Sequence, residues 1–187
     1  MNIFVLDEDP AAAAMMMCDK HIPKMILESA QMLSTAHRVL DGKPTKRRSR
    51  SGKSEITYYA FGDRRDDLYY SAVHIGHPCT KWTMESSTNY NWHFFHLNAL
   101  SKEYHYRRGK YHKTWEKLGM LLAAPPQNIS EGPRTEWAQA MDQFPNCKVP
   151  GNAVQAYRNY YHATKHFAKW EWGREAPHWW EGYKGYE

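Results

Sequence analysis

Between Asp19 and Ala36 the residues Ile22, Met25, Ile26, Ser29, Met32, Leu33 and Ala36 recur at intervals of three and four. An α-helix gathers that spacing onto one side, where it can bury against a core. The helix is expected over about 22–39, with Asp19 able to cap its start and Pro23 tolerated in the first turn. Away from the apolar side, helical pitch brings His21, Lys24 and Glu28 within about 60° of one another. An imidazole, an ammonium and a carboxylate on a packed scaffold form a candidate catalytic stripe. The alternative is a surface helix with an ordinary i,i+4 pair between Lys24 and Glu28.

The rest of the chain reads as further helices. Asp9 and Pro10 open an Ala/Met run to about residue 17, and a helix is expected near 65–73. Gly76-His77-Pro78 then starts a long helix to about 106, with Cys79, Trp82, Ser86, Tyr90, His93, Leu97, Leu100 and Tyr104 on one side. Shorter helices near 112–122 and 134–141 flank a turn-rich Pro125-Pro126-Gln127-Asn128 segment, and a last one spans about 152–169. No repeat, strand alternation of useful length or second domain is visible. The expected fold class is all-α: one mostly helical domain over 1–187 with long irregular loops and an aromatic tail at 171–187.

At 187 residues the chain can bury a core without staples. Cys18, Cys79 and Cys147 leave no even pairing and no CxxC, which suits reduced thiols in a cytoplasmic protein. MNIFVLDEDP carries acids where a secretory signal would be basic, and no apolar run reaches the roughly 18 residues of a membrane span. The formal charge of +5 is uneven: from Asp41 to Glu55 six cations face two acids, so this stretch supplies +4 of it. With its Gly, Ser and Pro the segment 41–56 reads as a mobile basic loop, and Arg47, Arg48 and Arg50 are candidate phosphate contacts.

Eight Trp and thirteen Tyr exceed what a core of this size normally uses, and many stand beside cations or histidines. Aromatics alternating with cations suit stacked bases and phosphates together, although helix core is the competing use for Tyr157, Tyr161 and Phe167. Candidate nucleic-acid contacts are Lys20; His77, Lys81 and Asn89; Arg107 and Arg108; Arg158, Tyr161, Lys165 and Lys169; and tail residues Trp179 and Trp180, expected to be exposed. GxxxxGK[ST], GxGxxG, GxSxG and HExxH are all missing from the sequence. His162 and His166 lack a third ligand nearby, so no metal and no cofactor is expected.

Asp19-Lys20-His21 followed by Glu28 resembles the D-x-H and catalytic Glu of pyrimidine-dimer DNA glycosylase/lyases of the phage endonuclease V type. Gly76-His77 opening a long helix that ends in Arg107-Arg108-Gly109 is similar to that family's central helix, the Lys-bearing aromatic end resembles its tail, and HPCTKW resembles a motif of its uncharacterised phage relatives. The outline covers about two-thirds of the chain, with residue-by-residue agreement in the stripe helix alone. The resemblance implies a helical protein that flips a nucleotide and attacks the deoxyribose C1′ with an amine, forming a Schiff base that permits strand elimination. Glu28 would assist the sugar chemistry while His21 and Lys24 hold phosphate or the departing base. The family's nucleophile is the amine of a small second residue exposed by removal of the initiator Met. Asn2 is too bulky for efficient removal, which leaves the Met1 amine, Lys20 or Lys24. The implied activity is a DNA glycosylase, with or without lyase action, on a damaged or modified pyrimidine. A phage base-modifying transferase and a non-catalytic nucleic-acid-binding protein are the alternatives. The expected setting is the cytoplasm, that of the host if the protein is phage-encoded, with DNA as partner, no membrane, and a monomer.

Overall fold

The computed structural model describes residues 1–49 and 51–186. Seven α-helices appear among them: α1 Pro10–Met16, α2 His21–Asp41, α3 Arg65–Leu68, α4 Pro78–Glu85, α5 Ser87–Arg108, α6 Lys113–Leu118 and α7 Ala153–Thr164. A short 3₁₀ turn spans Pro145–Cys147. Two strands, β1 Lys43–Arg48 and β2 Glu55–Ala60, pair antiparallel. The fold is therefore mixed α/β, though mostly helical, and the all-α expectation is corrected by this sheet. The segment read as a mobile basic loop is a hairpin. Thr45, Ile56, Thr57, Tyr58 and Tyr59 supply the strand preference that its charges obscured.

Side-chain caps set most helix starts. Asp9 accepts from the N–H groups of Ala11 and Ala12, and His77, Ser86, His112 and Asn152 do the same for α4 to α7. The single long helix expected over 78–106 is two helices. Ser86 sits extended at φ −151°, caps α5 through Asn89 and donates to the Pro133 carbonyl. No helix forms at 134–141, which is irregular. It is held by Asn89, whose amide donates to Trp82 O and Thr135 Oγ1 and accepts from Thr135 N. Asn89 is thus a buried brace, not a surface contact. The last helix stops at Thr164, five residues earlier than expected.

α2 packs on α4, α5 and α6, and α1 lies along α5. The core contains every apolar stripe residue, Ile22, Met25, Ile26, Met32, Leu33 and Ala36, together with Ile3–Leu6 of the N-terminal segment. It also absorbs much of the aromatic excess: Trp82, Tyr90, Tyr157 and Tyr161 are almost fully buried. Asp19 does not cap α2. It pairs with buried Arg107 at 2.8 Å and accepts from the N–H groups of Glu171 and Trp172. Arg107 also donates to the carbonyls of Met15 and Met17 and pairs with Glu103, so it ties the α1–α2 junction to α5. No helix among the described residues is long and apolar enough to cross a membrane.

Candidate active site

The N-terminal segment reaches the middle of α2 through a tight turn built by Asn2. Its side-chain oxygen accepts from the N–H groups of Ile3 and Phe4 while its amide donates to the Ala140 carbonyl. Phe4 takes φ 57°, a left-handed conformation rare for an aromatic residue. Such strain costs on the order of 1–3 kcal/mol and persists only where surrounding contacts hold it. Here the Phe4 ring packs on His21 at 4.6 Å and lies parallel to Tyr160 at 6.0 Å.

The turn delivers the Met1 ammonium to 3.7 Å from Glu28 Oε2, and the Asn2 N–H donates to the same oxygen at 3.2 Å. Glu28 Oε1 faces the Lys24 ammonium at 3.6 Å. Glu28 is mostly buried, whereas Lys24 is exposed. One carboxylate therefore stands between two amines on opposite oxygens, which an isolated surface i,i+4 pair does not require. Met1 itself is packed, its sulfur accepting from the Thr80 hydroxyl.

A third amine borders this centre. Lys165 Nζ lies 4.2 Å from the Tyr160 ring centroid and 5.2 Å from that of Phe4. Burial, reinforced by the charge of Lys24 and opposed by Cys18 and Glu28, lowers its pKa to about 8. Roughly a tenth of it is then unprotonated at pH 7 and about half at pH 8. The sequence places Lys165 among the candidate nucleic-acid contacts, and the αL turn that brings Phe4 beside it leaves no periodic signal. His77 is half-buried as the cap of α4. Burial and then the Met1 ammonium and His74 lower its pKa, while Glu28 and Asp142 pull the other way.

His21 belongs under this surface and not on it. It is 2% exposed, its Nδ1 is 2.5 Å from the Tyr161 hydroxyl, and Phe4, Tyr161 and Phe167 surround its ring. Burial, with Lys165 and Lys24 nearby, drops its pKa to about 3. It is neutral at physiological pH and cannot hold a phosphate as a cation. Tyr161 is likewise core.

The remaining candidates are dispersed. Lys20 and Lys169 line a small recess with Asp19, Phe167, Glu171 and Trp172. Arg108 is exposed with its guanidinium 4.2 Å from the Trp172 ring, and Lys81 is exposed on α4. Arg158 donates to the Leu6 carbonyl and faces Asp7 at 3.7 Å, a fixture of the N-terminal segment. Trp179 and Trp180 are half-buried, contrary to the exposure expected of them. Both meet Tyr161 edge-on, and Trp180 stacks on His162 at 5.0 Å. Arg47 and Arg48 lie exposed on β1, and Arg50 lies outside the described residues. Cys79 is buried with its thiol pKa pushed up to about 11, chiefly by desolvation, which suits packing and not nucleophilic attack. Among the described residues no group of three or more His, Cys, Asp or Glu is placed to hold a metal. Compared with protein-family models, curated proteins and solved structures, the chain matches none.

Proposed function

We propose that this chain is a DNA glycosylase, with lyase chemistry, acting on a damaged or modified pyrimidine through an amine of the Glu28 centre. The observation that carries this reading is Glu28 itself, a mostly buried carboxylate with the Met1 ammonium on one oxygen and Lys24 on the other. The neighbouring Lys165 has an amine that burial makes easier to deprotonate. An unprotonated amine attacks C1′ of a flipped deoxynucleotide. The new C1′–N bond forms as the C1′–base bond breaks, and the base leaves with the electron pair and takes up a proton. Opening of the C1′–O4′ bond gives a protonated imine. Loss of a C2′ proton then expels the 3′ phosphate, and water releases the sugar from the amine. Glu28 takes the proton from the attacking amine and stabilises the cationic sugar. Lys24, exposed beside it, supplies a counter-charge for phosphate.

The resemblance of Asp19-Lys20-His21 and Glu28 to the pyrimidine-dimer glycosylases supports the same reading, without His21 in a charged role. Mass spectrometry of oligonucleotides bearing damaged or modified pyrimidines, after incubation with the protein, tests it. Loss of the base mass, with or without strand cleavage, is the expected result. An intact strand carrying a heavier base would establish a transferase instead, and unchanged strands that remain bound would establish a binding protein.

A further inference from the structure

The β1–β2 hairpin adds little to the core. Every residue of β1 is exposed, and in β2 only Tyr58–Ala60 are half-buried. An isolated two-stranded hairpin is marginal in water, so a protruding one needs a fixed base. Arg38 of α2, fully buried, provides it. Its guanidinium donates to the carbonyls of Tyr59, Asp66, Tyr69 and Tyr70 and pairs with the Asp66 carboxylate at 2.9 Å. Asp66 in turn accepts from the N–H groups of Phe61 and Gly62, just past β2. The arm is thus clamped to the same helix that carries Glu28.

From Lys43 to Ala60 the sequence holds six cations and one acid. The register sets Lys43 opposite Ala60 and Arg47 opposite Ile56, so Lys43, Thr45 and Arg47 share one face, and Lys46 and Arg48 share the other. Arg47 lies 3.6 Å over the Tyr58 ring, and Lys46 donates to Thr57, so cations on both faces are preorganised.

We propose that this hairpin enters the major groove of double-stranded DNA, its two cationic faces meeting the two phosphate backbones that wall the groove. The inference rests on the DNA reading above and narrows its substrate to duplex. A two-stranded ribbon matches a groove about 12 Å wide. A single strand presents one backbone and leaves one face unmatched, and the major groove of A-form RNA is too deep and narrow for side chains to read.

The test is binding of the intact protein to a duplex oligonucleotide and to its separated strand across a salt series. Wild type is compared with the exposed double variants Lys43→Ala/Arg47→Ala and Lys46→Ala/Arg48→Ala, whose folding is checked by circular dichroism. Wild type should favour the duplex. Each double variant should lower the duplex log–log salt slope by about 1.8, the sum of two contacts, and weaken duplex binding roughly tenfold while changing single-strand binding little. Guanine N7 should be protected from dimethyl sulfate by wild type and less so by either variant. Equal affinity for duplex and single strand, duplex binding unchanged in the variants, or N7 left reactive would each overturn the arm while leaving the DNA reading in place. Failure of wild type to bind either nucleic acid would overturn both.

Discussion

Lowering the pH from 7 to 5 should strip most of this protein's stability. His21, His37, His93 and His96 are buried, and burial is the leading cause in each case, placing their folded pKa values at about 3, 4, 3 and 4. The unfolded chain takes up protons at these groups near pH 6.5, whereas the folded chain does not until far lower. Unfolding therefore becomes easier as pH falls from about 6.5 towards 4, and is insensitive to these groups above it. At pH 5 each histidine costs roughly 2 kcal/mol, or on the order of 8 kcal/mol together, against a typical total of about 5–15. The surroundings account for the shifts. His93 Nδ1 bonds the Thr83 hydroxyl and His96 Nδ1 bonds the Pro10 carbonyl, while the Nε2 of His93 is buried with no hydrogen-bond partner among the described residues. His37 has Asp41 at 3.9 Å, which softens its share. Urea denaturation at pH 7, 6 and 5 checks this. A loss below about 2 kcal/mol across that range would mean that no more than one of the four behaves as a buried neutral group.

Replacing Glu28 with Gln should lower turnover by roughly 10²-fold or more, the usual scale for a positioned acid–base group, with folding and DNA affinity kept. The amide retains the shape and can still accept from the Asn2 N–H. It removes the charge that lies between the Met1 ammonium and Lys24. Circular dichroism and binding isotherms establish the intact fold, and single-turnover kinetics read the chemical step. Full activity in Glu28→Gln would make the stripe structural.

The α2 stripe was legible because burial on a helix repeats every 3.6 residues, and each apolar position read from that period is in the core. His21 was misread by the same rule. Pitch places it near Glu28, yet it is the first residue of the helix, and Tyr161 and Phe167, about 140 residues away in sequence, close over it. Long-range contacts of that kind carry no local periodicity. Arg107 and Asp19 were read as a basic helix end and a cap, and a buried ion pair between two distant segments is equally silent in sequence. The hairpin was obscured because its strands bury almost nothing, so alternation between apolar and polar residues, the usual strand signal, is weak. Asn2 looked like an obstacle at the N-terminus, and its side chain is what folds the turn that presents Met1 to Glu28.

Borohydride trapping tests the amine chemistry of the Glu28 centre most directly. With an oligonucleotide carrying a substrate pyrimidine or an abasic site, reduction during turnover should leave a covalent protein–DNA adduct, and peptide mapping should locate it at Met1, Lys24 or Lys165. An adduct on Lys165 should form faster as pH rises through about 8, following loss of the ammonium proton from that side chain. No adduct under conditions where base loss is measured, or an adduct on a lysine remote from Glu28, would contradict catalysis by this centre.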